Sequence, residues 1–186
     1  MIPKKAVAYR RGGVADRAGL LALKKTSYSE YETILTPEHA AVWHESLHNE
    51  ATLDALIGQA TIFVCTAADE IVGMAFIIPS GNPTPVFSSE WTHIRMVGVH
   101  PQYRGQGIAS MLTQMCIHHA KFTNEKTIAL HTSEFMDVAR HIYESLGFRV
   151  LKEIGPLYGK RYWVYTLDIN DGKEQIATIR QHHEGV

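Results

Sequence analysis

Val97-Gly98-Val99-His100-Pro101-Gln102-Tyr103-Arg104-Gly105-Gln106-Gly107-Ile108-Ala109 joins an apolar strand to a helix through a glycine-rich turn. The strand side is Val97, Gly98 and Val99, closed by Pro101. On the helix side, Ile108, Leu112, Met115, Cys116 and Ala120 recur at three- and four-residue steps, one apolar face of a helix predicted over residues 108–122. A helix N-terminus presents unbonded N–H groups and about half a positive charge, which makes it an anion site. Gly105 and Gly107 let the main chain close around a phosphate with no Cβ in the way, and Arg104 can add a bidentate contact. The spacing is not Walker A, because no Gly-Lys-Ser/Thr follows. Nor is it G-x-G-x-x-G, because Ser110 stands at the third glycine position. A pyrophosphate cradle of a third kind remains, alongside the plain alternative of a tight turn.

Outward from this junction the pattern is mixed α/β. Upstream, residues 7–10 read as a short strand, 15–26 as a helix, and 60–66 with 71–79 as a hairpin. Thr36-Pro37-Glu38-His39 is a helix start, with Thr as N-cap, Pro at the first position and an acid in the first turn. The helix is predicted to run to about residue 57, before Gly58. A loop over 80–89 leads to the strand at 91–99. Downstream come a strand (126–132), a helix (136–146) ended by Gly147, and strands at 148–154 and 162–169. Residues 1–170 read as one domain, and 171–186 as a polar tail or surface helix.

The chain has 186 residues, 45% of them hydrophobic, with 18 Lys+Arg against 19 Asp+Glu. That apolar fraction argues against disorder, and the balanced charge against a partner bound by gross positive charge, so no nucleic acid is expected. Two cysteines, Cys65 and Cys116, are too few for a disulfide scaffold and fit a reducing compartment. Neither a signal peptide nor a membrane span is read, so the expectation is cytoplasmic with no membrane partner.

The junction resembles the coenzyme-A loop of the GNAT superfamily of N-acetyltransferases, Q/R-x-x-G-x-G/A, in two overlapping frames, Gln102 to Gly107 and Arg104 to Ala109. Ala139-Arg140-His141-Ile142-Tyr143-Glu144-Ser145-Leu146-Gly147-Phe148 is similar to the family's second hallmark, A-x-x-x-Y-E-x-x-G-F. The resemblance implies a mixed, mostly antiparallel sheet, splayed between two central strands and flanked by helices. It implies an N-acetyltransferase that moves an acetyl group from acetyl-CoA to a primary amine, small-molecule or peptide, by direct transfer in a ternary complex and without a metal. Val97, Gly98 and Val99 would meet the pantetheine arm, with Gly98 suited to close approach. Arg104, Gly105, Gln106, Gly107, Ile108 and Ala109 would hold the pyrophosphate. Tyr143 matches the tyrosine that protonates the leaving thiolate. His131 stands where some relatives carry a glutamate base, with Glu90, His93 or a water chain as rivals. Met136 replaces an asparagine that contacts the cofactor in many relatives, leaving a neighbour such as Asp137 to supply the contact. A homodimer is compatible with this reading.

The acceptor region, bounded in relatives by the first two helices, contains Tyr28, Glu30, Tyr31, Glu32 and Glu38, an acidic and aromatic set suited to a cationic amine. A second class is a GNAT-fold module that binds acyl-CoA without turnover. A remote third is a zinc peptidase, because His44-Glu45-Ser46-Leu47-His48 reads H-E-x-x-H. Asp54 would be its thin third ligand, and Ala51 stands where the extended motif wants glycine. The bland reading puts Trp43 and Leu47 in the core and the histidines at the surface. Cys116 reads as core and not as a nucleophile.

Overall fold

The computed structural model describes residues 6–169. Its strands are β1 (Ala8–Gly12), β2 (Thr61–Ala67), β3 (Glu70–Ile78), β4 (Thr92–Val99), β5 (Thr127–Ser133), β6 (Arg149–Leu157) and β7 (Lys160–Asp168). Its helices are α1 (Arg17–Tyr28), α2 (Pro37–His48), α3 (Glu50–Gln59), α4 (Ile108–Phe122) and α5 (Asp137–Ser145). The strands form one sheet in the order β1-β2-β3-β4-β5-β7-β6. Every neighbour is antiparallel except β4 and β5, which run parallel. The segment expected as a tail, 171–186, lies outside the described residues.

Helices cover both faces. On one, the α4 stripe of Ile108, Leu112, Cys116 and Ala120 packs against Ile94, Leu130 and Tyr165. On the other, Leu20 and Leu23 of α1 and Leu53 of α3 cover Ile62, Val64, Met74 and Phe76. Each fully buried Leu or Phe contributes roughly 1.5–3 kcal/mol. The approach of α4 depends on Gly73, where a Cβ would sit 2.6 Å from Ile108 Cγ2. A third cluster joins α2 to the β6–β7 hairpin: Leu35, Trp43 and Leu47 are buried, with Tyr31, Phe135 and Tyr158 around them.

The single helix expected over 36–57 is two helices. Thr36 caps α2 as predicted, its hydroxyl accepting from the His39 N–H. At Asn49, however, the backbone is extended (φ −72°, ψ 102°), and the Asn49 side chain accepts from the Thr52 N–H to start α3. An asparagine that offers the backbone this alternative competes with helix continuation. From α1, the buried Lys24 ammonium donates to the Ser46 and Asn49 carbonyls at 2.9 and 3.0 Å, satisfying the end of α2 and complementing its dipole.

The sheet opens beside β4. Only Thr92↔Ile128 and His93↔Ala129 pair β4 with β5; beyond them the strands part. The divergence coincides with a bulge: Arg95 and Gly98 on β4 face Phe76 and Met74 on β3, one residue more on β4 than on its partner. Met96, inside the bulge, has φ +54°. A non-glycine residue held there costs energy, and bulges bend and twist the strand that carries them. The splay expected from the resemblance is present.

Candidate active site

The gap between β4 and β5 is a cleft of about 390 Å³. Its walls come from Arg95, Met96 and Val97 on β4, Leu130, His131 and Thr132 on β5, and Met136, Ala139 and Tyr143 near or on α5. Tyr28, Tyr31, Trp43, Tyr158 and Tyr162 form an aromatic wall. Trp43 and Tyr158 stand edge to face at 4.8 Å, as do Tyr31 and Phe135 at 5.0 Å. Tyr143 and His131, expected from sequence as acid and base, thus line one cavity.

Tyr143 is 8% exposed, its ring against Phe148 at 5.9 Å. Burial, with Cys116 and Tyr31 adding to it, raises the Tyr143 pKa, so the phenol keeps its proton and can donate it. Across the cleft, Tyr28 is raised in the same way, by burial first and then by Tyr143 and Tyr31.

His131 has a buried Nδ1 without a hydrogen-bond partner. Desolvation, then Arg95 and His93, lower its pKa to about 4. His93 is 1% exposed and stacks on Phe87 at 4.5 Å; desolvation and Arg95 lower it to about 4 as well, against a weaker backbone interaction with Trp91. Both imidazoles are therefore neutral at pH 7. Glu90 lies exposed in the turn before β4, outside the cleft lining. Asp137, suggested as a substitute for the missing asparagine, is exposed and accepts from Arg140 at 3.4 Å, whereas Met136 itself lines the cleft.

The glycine loop has the geometry its sequence suggested. Gly105 and Gly107 have φ +72° and +81°, and a Cβ at either would meet nothing within 4 Å. The space such a Cβ would enter is open. The first α4 ladder bond runs from Met111 N–H to Gly107 O at 3.0 Å, so the N–H groups of Ile108, Ala109 and Ser110 precede the ladder.

Two residues of the expected cofactor set, Arg104 and Gly98, have close partners within the protein. The Arg104 guanidinium turns away from the loop, donating to Glu30 at 2.5 Å, the Ser27 carbonyl at 3.0 Å and the Val99 carbonyl at 3.3 Å. Here it is a strut between the loop and the end of α1. At Gly98, a Cβ would meet Ser27 Oγ at 2.9 Å and Met74 Cε at 3.0 Å, so the missing side chain lets α1 and β3 pack closely against β4. Beside it, the Val97 carbonyl accepts from the Tyr28 hydroxyl at 2.8 Å.

The acidic acceptor region is also redistributed. Glu30 pairs with Arg104 and Glu32 with His44 at 3.0 Å, and no Asp or Glu among the described residues lines the cleft. The zinc arrangement fares no better. His44 and His48 stack at the surface, His48 Nδ1 bonds the His44 carbonyl, and Asp54 lies beyond the helix break in a bidentate pair with Arg17. Trp43 and Leu47 are buried, and Cys116 is core, as expected. Sequence reading missed Arg95 and the bulge; a lone arginine in a strand and a positive φ at methionine carry no sequence signature.

A splayed sheet, a glycine cradle at the start of α4 and a tyrosine on the facing helix together define a fold class, and known proteins share it. The model of the acetyltransferase (GNAT) family matches residues 28–148, and the chain belongs to that family. Mouse N-acetyltransferase 8B is 28% identical over 104 residues, 56% of this chain and 43% of that protein. The chain spans less than half the length of the curated relatives it matches. Among solved structures, the ribosomal-protein-S18-alanine N-acetyltransferase of Escherichia coli superposes with a TM-score of 0.67 at 16% identity, covering 88% of this chain and 94% of that one. The PaiA N-acetyltransferase of Thermoplasma acidophilum, in complex with coenzyme A, gives 0.67 at 14% identity over 86% and 98%. At such identities the likeness is one of fold. No helix among the described residues is long and apolar enough to cross a membrane.

Proposed function

We propose that the chain is an N-acetyltransferase that moves the acetyl group of acetyl-CoA directly to a primary amine. The observation that carries this is the shared wall of one cleft: Tyr143, held protonated, faces the splay of β4 and β5, whose β4 side leads into the glycine cradle. The open space at Gly105 and Gly107 and the free first turn of α4 suit a pyrophosphate. Backbone N–H groups from Gly105 to Ala109 would bind it, with Arg104 bracing the loop through Glu30 and Ser27. Val97 and Val99 would flank the pantetheine arm. Coenzyme A supplies the thioester.

The chain's own residues then have limited tasks. The cleft holds the neutral amine against the thioester carbonyl, so attack becomes effectively intramolecular. A carbon–nitrogen bond forms and the carbon–sulfur bond breaks. Tyr143 gives its proton to the departing sulfur, and the amine's proton passes to His131, or through water, before the tyrosine is reprotonated. His131 suits the role by position and by its unpartnered Nδ1, while its low pKa makes it a weak base. The free, buried Cys65 and Cys116 suit a reducing, cytoplasmic setting. The decisive assay is thiol release from acetyl-CoA across a panel of amines. Amine-dependent release supports transfer; coenzyme-A binding with no release across a broad panel would make the chain a binding module instead.

A further inference from the structure

Arg95 is the charged group of the cleft that this mechanism leaves unused. It stands on β4 at the start of the bulge, partly buried, on the wall shared with His131. Desolvation lowers its pKa, and no hydrogen bond or ion pair among the described residues engages its guanidinium. The neighbouring groups cannot neutralise it. Tyr28 is held protonated, and His93 and His131 carry no negative charge in any state. The contrast with Lys24, the other cation of the lining, is informative: its ammonium is committed to the carbonyls that end α2. A guanidinium taken from water without a counter-charge is costly, and its fork of N–H donors matches a carboxylate bidentately. The pyrophosphate cradle lies beyond the far end of β4, so it does not serve as the partner.

We infer that the acceptor is an amine that also bears a carboxylate, an amino acid and not a polyamine or simple amine, with Arg95 binding the carboxylate. This rests on the acetyl-transfer reading and replaces the cationic acceptor expected from Glu30, Glu32 and Glu38. The edge-to-face wall of Trp43, Tyr31 and Tyr158 favours an acceptor whose side chain is apolar or aromatic.

The test uses matched sets: phenylalanine, phenylalaninamide and phenethylamine, and the corresponding leucine set, with acetyl-CoA and thiol detection. The carboxylate-bearing member should have kcat/KM about tenfold or more above its amide. In Arg95→Gln that ratio should collapse toward one, through KM, and Arg95→Lys should restore part of it. Binding is read separately, by thermal shift of the coenzyme-A complex with N-acetylphenylalanine and with its amide. Carboxylate-dependent stabilisation that disappears in Arg95→Gln supports the site even if no amine is turned over, in which case the transfer reading fails alone. Amides or simple amines turned over as well as the amino acids, or a carboxylate preference unchanged in Arg95→Gln, would overturn the inference and leave acetyl transfer standing. The carboxylate site is equally overturned if neither turnover nor binding distinguishes carboxylate from amide.

Discussion

At the scale of single residues, the proposed transfer assigns its proton steps to Tyr143 and His131. Tyr143→Phe removes one hydroxyl and keeps the ring against Phe148. If that hydroxyl protonates the thiolate, kcat falls about 10²-fold or more while the KM for acetyl-CoA moves little. Lower thermal stability with normal turnover would mark it as a packing residue. For His131, the sequence suggests a limb near the ordinary imidazole range, pH 6–7. Burial and the charges of Arg95 and His93 place that limb near pH 4 in kcat/KM, with activity lost below it. A bound carboxylate at Arg95 offsets one of the two charges, His93 and the Tyr162 ring staying in place, so the limb in kcat should lie higher than in kcat/KM. His131→Gln should remove both limbs; retention in the mutant makes His131 a spectator. Tyr143 was legible because its motif surrounds it. The His131 pKa was not, because it is set first by burial and then by Arg95 and His93, on a strand brought alongside by the parallel pairing of β4 and β5.

At the scale of elements, α4 and its loop must be held against β3 and β4 for the cradle to exist. Gly107→Val puts a branched side chain into the open space at φ +81°. Left-handed backbone costs an L residue about 1–2 kcal/mol, so the variant should melt earlier. Its coenzyme-A affinity should fall about tenfold or more by calorimetry, and unchanged affinity would rule the cradle out as the pyrophosphate site. Gly73→Ala works from below. Its Cβ would press on Ile108 Cγ2 at 2.6 Å and on Leu112 Cδ1 at 3.0 Å, so stability should drop by about 1–3 kcal/mol in chemical denaturation. No loss would mean that α4 adapts freely. The strands and the helices other than α2 and α3 were legible in type and order, since hydrophobic period and glycine punctuation are local. The break at Asn49 was less so. Asn49 caps α3 where Lys24, distant in sequence, satisfies the Ser46 and Asn49 carbonyls at the end of α2. The acidic set was misread for a related reason: composition shows Glu30 and Glu32 near the acceptor region but not that Arg104 and His44 engage them.

At the scale of the whole molecule, the splay that opens the cleft also buries two imidazoles in their neutral form. Their folded pKa values, about 4, lie below the unfolded value near 6.5, so between those limits the unfolded chain binds more protons. Stability should be full above about pH 6.5 and fall as pH drops toward 4. The melting temperature should follow that course, and His93→Gln should flatten it; a flat wild-type profile from pH 7 to 4.5 would contradict the burial of neutral histidines. Direct acetyl transfer within one cleft can be followed by native mass spectrometry. The chain is loaded with acetyl-CoA, and an amino acid is then added. Direct transfer predicts retained acetyl-CoA that becomes coenzyme A only when the amine is present, with the acetyl group recovered on the amine and the polypeptide mass unchanged. Failure to retain acetyl-CoA, a bound acetyl-CoA left intact by every amine, or an acetylated polypeptide formed on the way would contradict it.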